Sequence, residues 1–397
     1  MEDMDFPTPD VPVESVSPRA LKTQIDAGEE VTILDARMTA DYEEWRIEGE
    51  SVESINIPYF EFLDDEIDET HLEAIPDDRS VTVLCAKGGA SEYVAGRLIE
   101  HGYDVTHLEE GMNGWARIYE PVEITDYDGP GTVLQYQRPS SGCLGYLVYD
   151  DGEAAVIDPL RTFTDRYFDD ADDLGVELRY ALDTHIHADH ISGLRSLAEA
   201  GVDAYLPQGS ADRGATYADA VTLLSDGDTI EVGDVSIEAV ATPGHTTDMT
   251  SYLVGDSLLL TGDGLFPESV ARPDLEEGDA GAPEAARMLY DSLQNRVLTL
   301  PDETLIGGAH YSDAADPADD GTYTASIGHL EDTMAALSME KSAFVELILS
   351  DMPPRPPNYE TIIATNLGQH EADDDEAFEL ELGPNNCAAS QESLAAD

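Results

Sequence analysis

Lysine is nearly missing from this chain: three occur in 397 residues, at Lys22, Lys87 and Lys341. With 19 basic residues against 85 acidic ones, the formal net charge is −66. A field of that sign repels phosphate backbones and anionic lipid headgroups, which argues against nucleic acid and membrane surfaces as partners. Cysteine is scarce too. Cys85, Cys143 and Cys387 are odd in number and far apart, which fits a reducing compartment better than a disulfide framework. No run approaches the roughly 18 apolar residues of a membrane helix. The first residues, MEDMDFPTPD, have neither the positive segment nor the apolar core of a secretory signal. A soluble cytoplasmic protein is expected.

What is present is enough to fold. Apolar residues make up 41% of the chain, too many for disorder. A length beyond about 250–300 residues favours two cores over one. After an N-terminal extension (1–16), residues 17–120 alternate β-branched runs with amphipathic segments. VTILDA (31–36) and VTVLC (81–85) read as buried strands, and SEYVAGRLIEHG (91–102) reads as a helix ended by glycine, so a parallel α/β unit is expected. Pro121 and Gly129-Pro130-Gly131 suggest a linker over 121–130. Shorter strands then define a second domain over 131–370, and the acidic tail 371–397 is expected to be mobile. The acid-rich composition resembles that of haloarchaeal cytosolic proteins, whose surfaces stay hydrated in concentrated salt.

The densest chemistry is THIHADH (184–190), three histidines and an aspartate in seven residues of a chain with ten histidines. Imidazole nitrogens are common ligands of first-row metals. A metal needs further donors, and three more segments offer them directly after strands: ATPGHTT with His245, TGDG with Asp263 and IGGAH with His310. Each alone reads equally well as a packed polar residue; together with the cluster they form a pattern.

HxHxDH followed by PGH, TGD and a late GGAH resembles the metallo-β-lactamase superfamily. That implies an αββα sandwich with one or two metals at His185, His187, Asp189, His190, His245, Asp263 and His310. TPGHT (242–246), and ARPDL (271–275) with Arg272 nine residues past Asp263, look like the persulfide dioxygenase branch. RPPNYETIIATNLG (355–368) is similar to members of that branch fused to rhodanese domains. Ala271 replaces the usual glycine before the arginine, and TTDM follows His245 where TPG is common, so the pocket shape departs from the family pattern. The resemblance implies one Fe(II) per chain on His185, His245 and Asp263, with His187, Asp189, His190 and His310 as supporting groups or as part of a second metal site. Two neutral imidazoles and one carboxylate would leave Fe(II) a net positive charge and room for substrates. The implied substrates are a small-thiol persulfide and dioxygen, and the implied product is sulfite. Arg272 would hold a carboxylate of the thiol carrier, Asp274 would orient it, and Tyr311 would line the pocket. The alternative is a dinuclear zinc thioester hydrolase of the glyoxalase II type.

CAKGGAS (85–91) ends a hydrophobic strand and leads into a helix. The glycines let successive amides converge on a thiolate or persulfide at Cys85, and Lys87 adds a cation. Ala86, Lys87, Gly88, Gly89, Ala90 and Ser91 resemble the rhodanese active loop, with Ala90 where an arginine is usual. LDAR (34–37), INIP (55–58) and LEEGMNGW (108–115) support that resemblance. It implies a rhodanese-like parallel α/β domain in which Cys85 carries sulfur; the alternative is a docking or sensing module. Cys143 reads as a packed core residue and Cys387 as a tail residue without catalytic work. The thiol carrier, with glutathione, γ-glutamylcysteine and coenzyme A as candidates, and homo-oligomer formation stay open.

Overall fold

Val31–Asp35 is buried at every position and Val81–Leu84 at three of four, the mark of strands covered on both faces. In the computed structural model, which describes residues 6–64, 66–312, 314–350, 352–383 and 387–389, these strands lie in the middle of a five-stranded parallel sheet. Its order is Glu14–Val16, Val105–Leu108, Val81–Leu84, Val31–Asp35, Val52–Asn56. One apolar cluster unites Leu34, Val81 and Val83 with Val94, Ala95 and Leu98 of the helix Gly89–Glu100. A second joins Ile33 and Leu84 to Leu21, Met112 and Trp115. The two clusters account for the doubly buried strands. Glu14–Val16 belongs to the sheet as an edge strand, so the stretch expected as an extension begins the fold.

This unit ends at Ile118, with Arg138–Ser140 packed onto it, and the remaining chain forms a second unit. The expected linker is not one. Glu120–Glu123 pairs with Thr132–Arg138 as the last strand of a seven-stranded sheet. Pro121 is tolerated there because an edge strand has one side without a ladder. A six-stranded sheet runs from Thr229–Val232 to Thr324–Ser326. Leu144, Tyr146 and Val148 of one sheet meet Ile237, Tyr252 and Leu260 of the other in a shared core. Outside the first sheet, Tyr167 and Ala171 of the helix Thr164–Leu174 and Leu197 of Leu194–Glu199 pack on a separate cluster. Outside the second, Leu289, Leu330 and Phe344 of Gly278–Ser292, Ile327–Thr333 and Lys341–Ser350 do the same. The layers are helix, sheet, sheet, helix, as expected.

The acidic tail also departs from expectation. Asp374–Leu380 is a helix: Asp373 accepts from Glu376 N, and Asp374, Asp375 and Glu376 crowd its first turn, where the helix dipole favours negative charge. Ala377 is buried in a cluster with Ile191 and Ile362, and Phe378 is buried beside it in the helix. Further on, Ala389 N donates to Val270 O and Ala388 bridges Ala271. Residues 390–397 lie outside the described residues.

Candidate metal centre and cysteine loop

Strand ends carry the donors. His185 follows the strand Glu177–Leu182 by three residues, His245 follows Val235–Ala241, and Asp263 directly follows Leu258–Gly262. All three side chains are fully buried. His185 Nε2 and His245 Nε2 stand 3.6 and 3.4 Å from Asp263 Oδ2, and none of these three atoms has a hydrogen-bond partner among the described residues. Three buried polar atoms that converge without satisfying one another need something between them. Their chemistry, two imidazoles and one carboxylate, fits a first-row divalent metal. The far ring nitrogens are anchored. His245 Nδ1 faces Arg272 O at 3.0 Å, and His185 Nδ1 lies 2.9 Å from Thr184 Oγ1, which in turn donates to Asp158 Oδ2. Both contacts hold the proton on Nδ1 and point the Nε2 lone pair inward. Burial, opposed by Asp263, pushes His245 down to about 4, so this imidazole is neutral at physiological pH.

The remaining expected donors go elsewhere. His187 Nε2 is 3.0 Å from Asp158 Oδ1, and this histidine groups with Asp158 and Asp183 rather than with the trio. Burial, followed by His190 and His185, lowers His187 to about 4. Burial and the neighbouring Asp158 charge raise Asp183 to about 8. Asp189, His190 and His310 gather around a different point together with Cys143. Asp189 Oδ2 is 2.7 Å from His310 Nε2, 3.0 Å from His190 Nδ1 and 3.3 Å from Cys143 Sγ. His310 Nδ1 also bonds Asp263 Oδ1 and so ties the two groups together. Burial works against a charged His310, but Asp263 and Asp189 outweigh it and hold the group well above its ordinary value.

The backbone that presents the cluster is pinned from four sides. Thr184 N donates to Asp158, Ile186 N to Asp248, Ile191 N to Glu381, and Asn366 Nδ2 to the carbonyls of His187 and His190. Asp158, Asp183, Asp248, Asn366 and Glu381 were not among the expected site residues. A signal existed for two of them: Asp158 and Asp183 directly follow hydrophobic strands, as Asp263 does. Cys387, read as a tail residue without catalytic work, is buried with its sulfur near Asp263 and His310.

Arg272 is buried, and its guanidinium donates to both Asp274 oxygens, at 2.7 and 3.1 Å, and to Pro354 O at 2.8 Å. Arg355 Nε adds a second cation to Asp274 at 2.8 Å. Tyr311 stacks on Tyr323 with ring centroids 3.7 Å apart, at the edge of the core between the sheets.

In the first unit, Cys85 follows Val81–Leu84 and is buried. Gly88 N and Ser91 N donate to its Sγ at 3.1 and 3.3 Å, and Ser91 Oγ lies 3.4 Å away. Gly88 has φ +96°, and a Cβ there would sit 3.1 Å from Glu110 N, so glycine is required. Ala86, Lys87 and Gly89 are exposed, whereas Ala90 and Ser91 are buried in the first turn of the helix. Converging amides and a helix start stabilise negative charge on sulfur.

Comparison with known proteins finds two families along the chain. The Metallo-beta-lactamase superfamily profile matches residues 141–310, and the Rhodanese-like domain profile matches residues 17–118. The chain belongs to the persulfide dioxygenase branch of the metallo-β-lactamase superfamily and carries a rhodanese-like domain ahead of it. Persulfide dioxygenase ETHE1, mitochondrial, of Bos taurus is 34% identical over 192 residues, 47% of this chain and 70% of its own. The Homo sapiens protein of the same name is 31% identical over 245 residues, 60% of this chain and 88% of its own. The crystal structure of ETHE1 from Myxococcus xanthus matches with a TM-score of 0.51 at 29% identity, over 59% of this chain and 98% of its own. No helix among the described residues is long and apolar enough to cross a membrane.

Proposed function

We propose that this chain oxidises the persulfide of a small thiol to sulfite with one ferrous ion on His185, His245 and Asp263, and that Cys85 carries sulfane sulfur as a protein persulfide. The observation that carries the reading is the separation of the donors. Among the described residues three unpartnered atoms face one point, whereas His187 and His190 each hold one ring nitrogen on a carboxylate, Asp158 and Asp189, and keep only the other, His187 Nδ1 and His190 Nε2, without a partner. In the overall reaction persulfide, dioxygen and water become thiol, sulfite and two protons. Bound iron supplies the one-electron chemistry that allows dioxygen to react with a thiolate sulfur.

The chain's own residues supply the rest. The bond from His245 Nδ1 to Arg272 O and the Asp274 clamp on the Arg272 side chain make one rigid unit of a metal ligand and the wall meant for the substrate. Arg272 and Asp274, whose side chains are already joined and buried, are assigned to shaping the wall that meets the thiol carrier rather than to a free carboxylate fork, with Tyr311 at the margin. His310, bridged between Asp263 and Asp189, holds a proton beside the centre. Cys85, cradled by two amides, takes the outer sulfur of a small-thiol persulfide, releasing the thiol, and passes it to an acceptor such as sulfite, which leaves as thiosulfate while the Cys85 thiol is restored.

The test is oxygen consumption and sulfite release on adding the persulfides of glutathione, γ-glutamylcysteine and coenzyme A in turn. One dioxygen per sulfite is expected with at least one carrier, and none in His245→Ala. Thioester cleavage without oxygen uptake would mean the hydrolase instead.

A further inference from the structure

Arginine in this chain is mostly spent on carboxylates: Arg166 on Asp170, Arg213 on Asp248, and Arg272 and Arg355 on Asp274. Arg195 is different. Despite 85 acidic side chains, it makes no hydrogen bond and no ion pair with any described residue, and its guanidinium lies over the Tyr217 ring, 5.5 Å from the centroid. It is partly buried and faces a polar cavity that Arg161, Ser192, Ser196, Tyr217 and Asn366 also line. Arg161 bonds Ala372 O and Asp374 through its terminal nitrogens, but its Nε is buried without a partner. Arg195 is thus a cation without an acceptor at a cavity whose wall also holds the ion-paired Arg161. A guanidinium drawn partly out of water, with no counter-ion, loses hydration without compensation. In so acid-rich a chain a carboxylate partner would be the easiest thing to supply.

We propose that this cavity binds a small oxyanion or carboxylate from solution, held by the Arg195 guanidinium and by the Ser196 hydroxyl, with the Arg161 charge in the same wall. The planar fork of Arg195 suits two oxygens of one group, and its place over the Tyr217 ring limits its swing. Glu199 and Glu371 also line the cavity and are exposed. They limit the ligand to a compact anion seated inside, or to one that carries a cationic group toward them. The cavity lies behind the metal-ligand loop: Asn366 Oδ1 accepts from Ser192 N, and Asn366 Nδ2 holds the His187 and His190 carbonyls. An occupant in contact with Ser192 and Asn366 thus bears on the clamp that shapes the loop. The assignment stands whether or not the centre performs the proposed chemistry.

The test is calorimetric titration of the full-length, metal-loaded protein at fixed potassium chloride concentration. Sulfite, phosphate and glutamate are added separately, which distinguishes a sulfur oxyanion, another inorganic oxyanion and a zwitterionic carboxylate as the source. One saturable site per chain is expected for at least one of them. Arg195→Gln should weaken it at least tenfold while anion-free activity stays at the wild-type level, and Arg195→Lys should fall between. Ser196→Asp, which puts a carboxylate beside Arg195, should abolish it too and serves if Arg195→Gln folds poorly. If no anion saturates, or if both Arg195→Gln and Ser196→Asp titrate like wild type, the assignment is wrong.

Discussion

At the scale of single residues, the division between His185, His245 and Asp263 on one side and His187 on the other has direct consequences. His245→Ala or Asp263→Ala removes one of three donors, and iron retained after desalting should fall below a tenth of the wild-type content. His187→Ala leaves the trio whole and removes a buried partner of Asp158; iron should stay, with affinity reduced about 10- to 100-fold, the usual cost of losing a supporting contact. Loss of all metal from His187→Ala, measured by plasma emission, would show that this histidine is itself a ligand. Asn366 makes three buried bonds, to the His187 and His190 carbonyls and from Ser192 N. Asn366→Ala should cost on the order of 3 kcal/mol in denaturant unfolding. His185, His245 and Asp263 were visible in the sequence as motif positions. Asn366, Asp158 and Glu381 were not, because they act through contacts between segments distant in the chain.

Among elements, the cysteine loop and the tail helix behave differently. Cys85→Ser should abolish sulfur transfer to sulfite or thiols and leave persulfide-dependent oxygen uptake within about twofold of wild type, because the trio shares no residue with that loop. Unchanged thiosulfate formation would return the domain to a docking or sensing role. The strand, loop and helix around Cys85 were legible from hydrophobic runs and glycine placement. The tail departs from the expected mobility because its charge has a structural place. The acids stand in the first turn of a helix, and Ala377 and Phe378 face inward. Phe378→Ala should therefore destabilise the protein by about 3 kcal/mol, which thermal or denaturant unfolding will show; no change would mean the helix is undocked in solution. The edge strand Glu120–Glu123 was missed for a related reason: a proline in a short strand reads as a break unless the strand is known to lie at an edge.

For the whole molecule, a net charge of −66 sets the conditions under which everything else operates. Self-repulsion extends over about 10 Å at 0.1 M salt and about 3 Å at 1 M. The melting temperature should rise steadily with potassium chloride through the molar range, and a flat or falling curve would remove the halophilic reading. Two domains were legible from length and strand texture, which depend on local pattern, whereas the layer order came from the resemblance that the histidine and aspartate motifs carry. What binds at the centre depends on which donor atoms converge on one point, and only the folded chain reveals that. The most direct test is metal analysis of protein purified without oxygen from cells supplied with both iron and zinc. One iron per chain, lost in His245→Ala and kept in His187→Ala, is expected; two zinc ions per chain in protein inert toward persulfide under air would contradict the account.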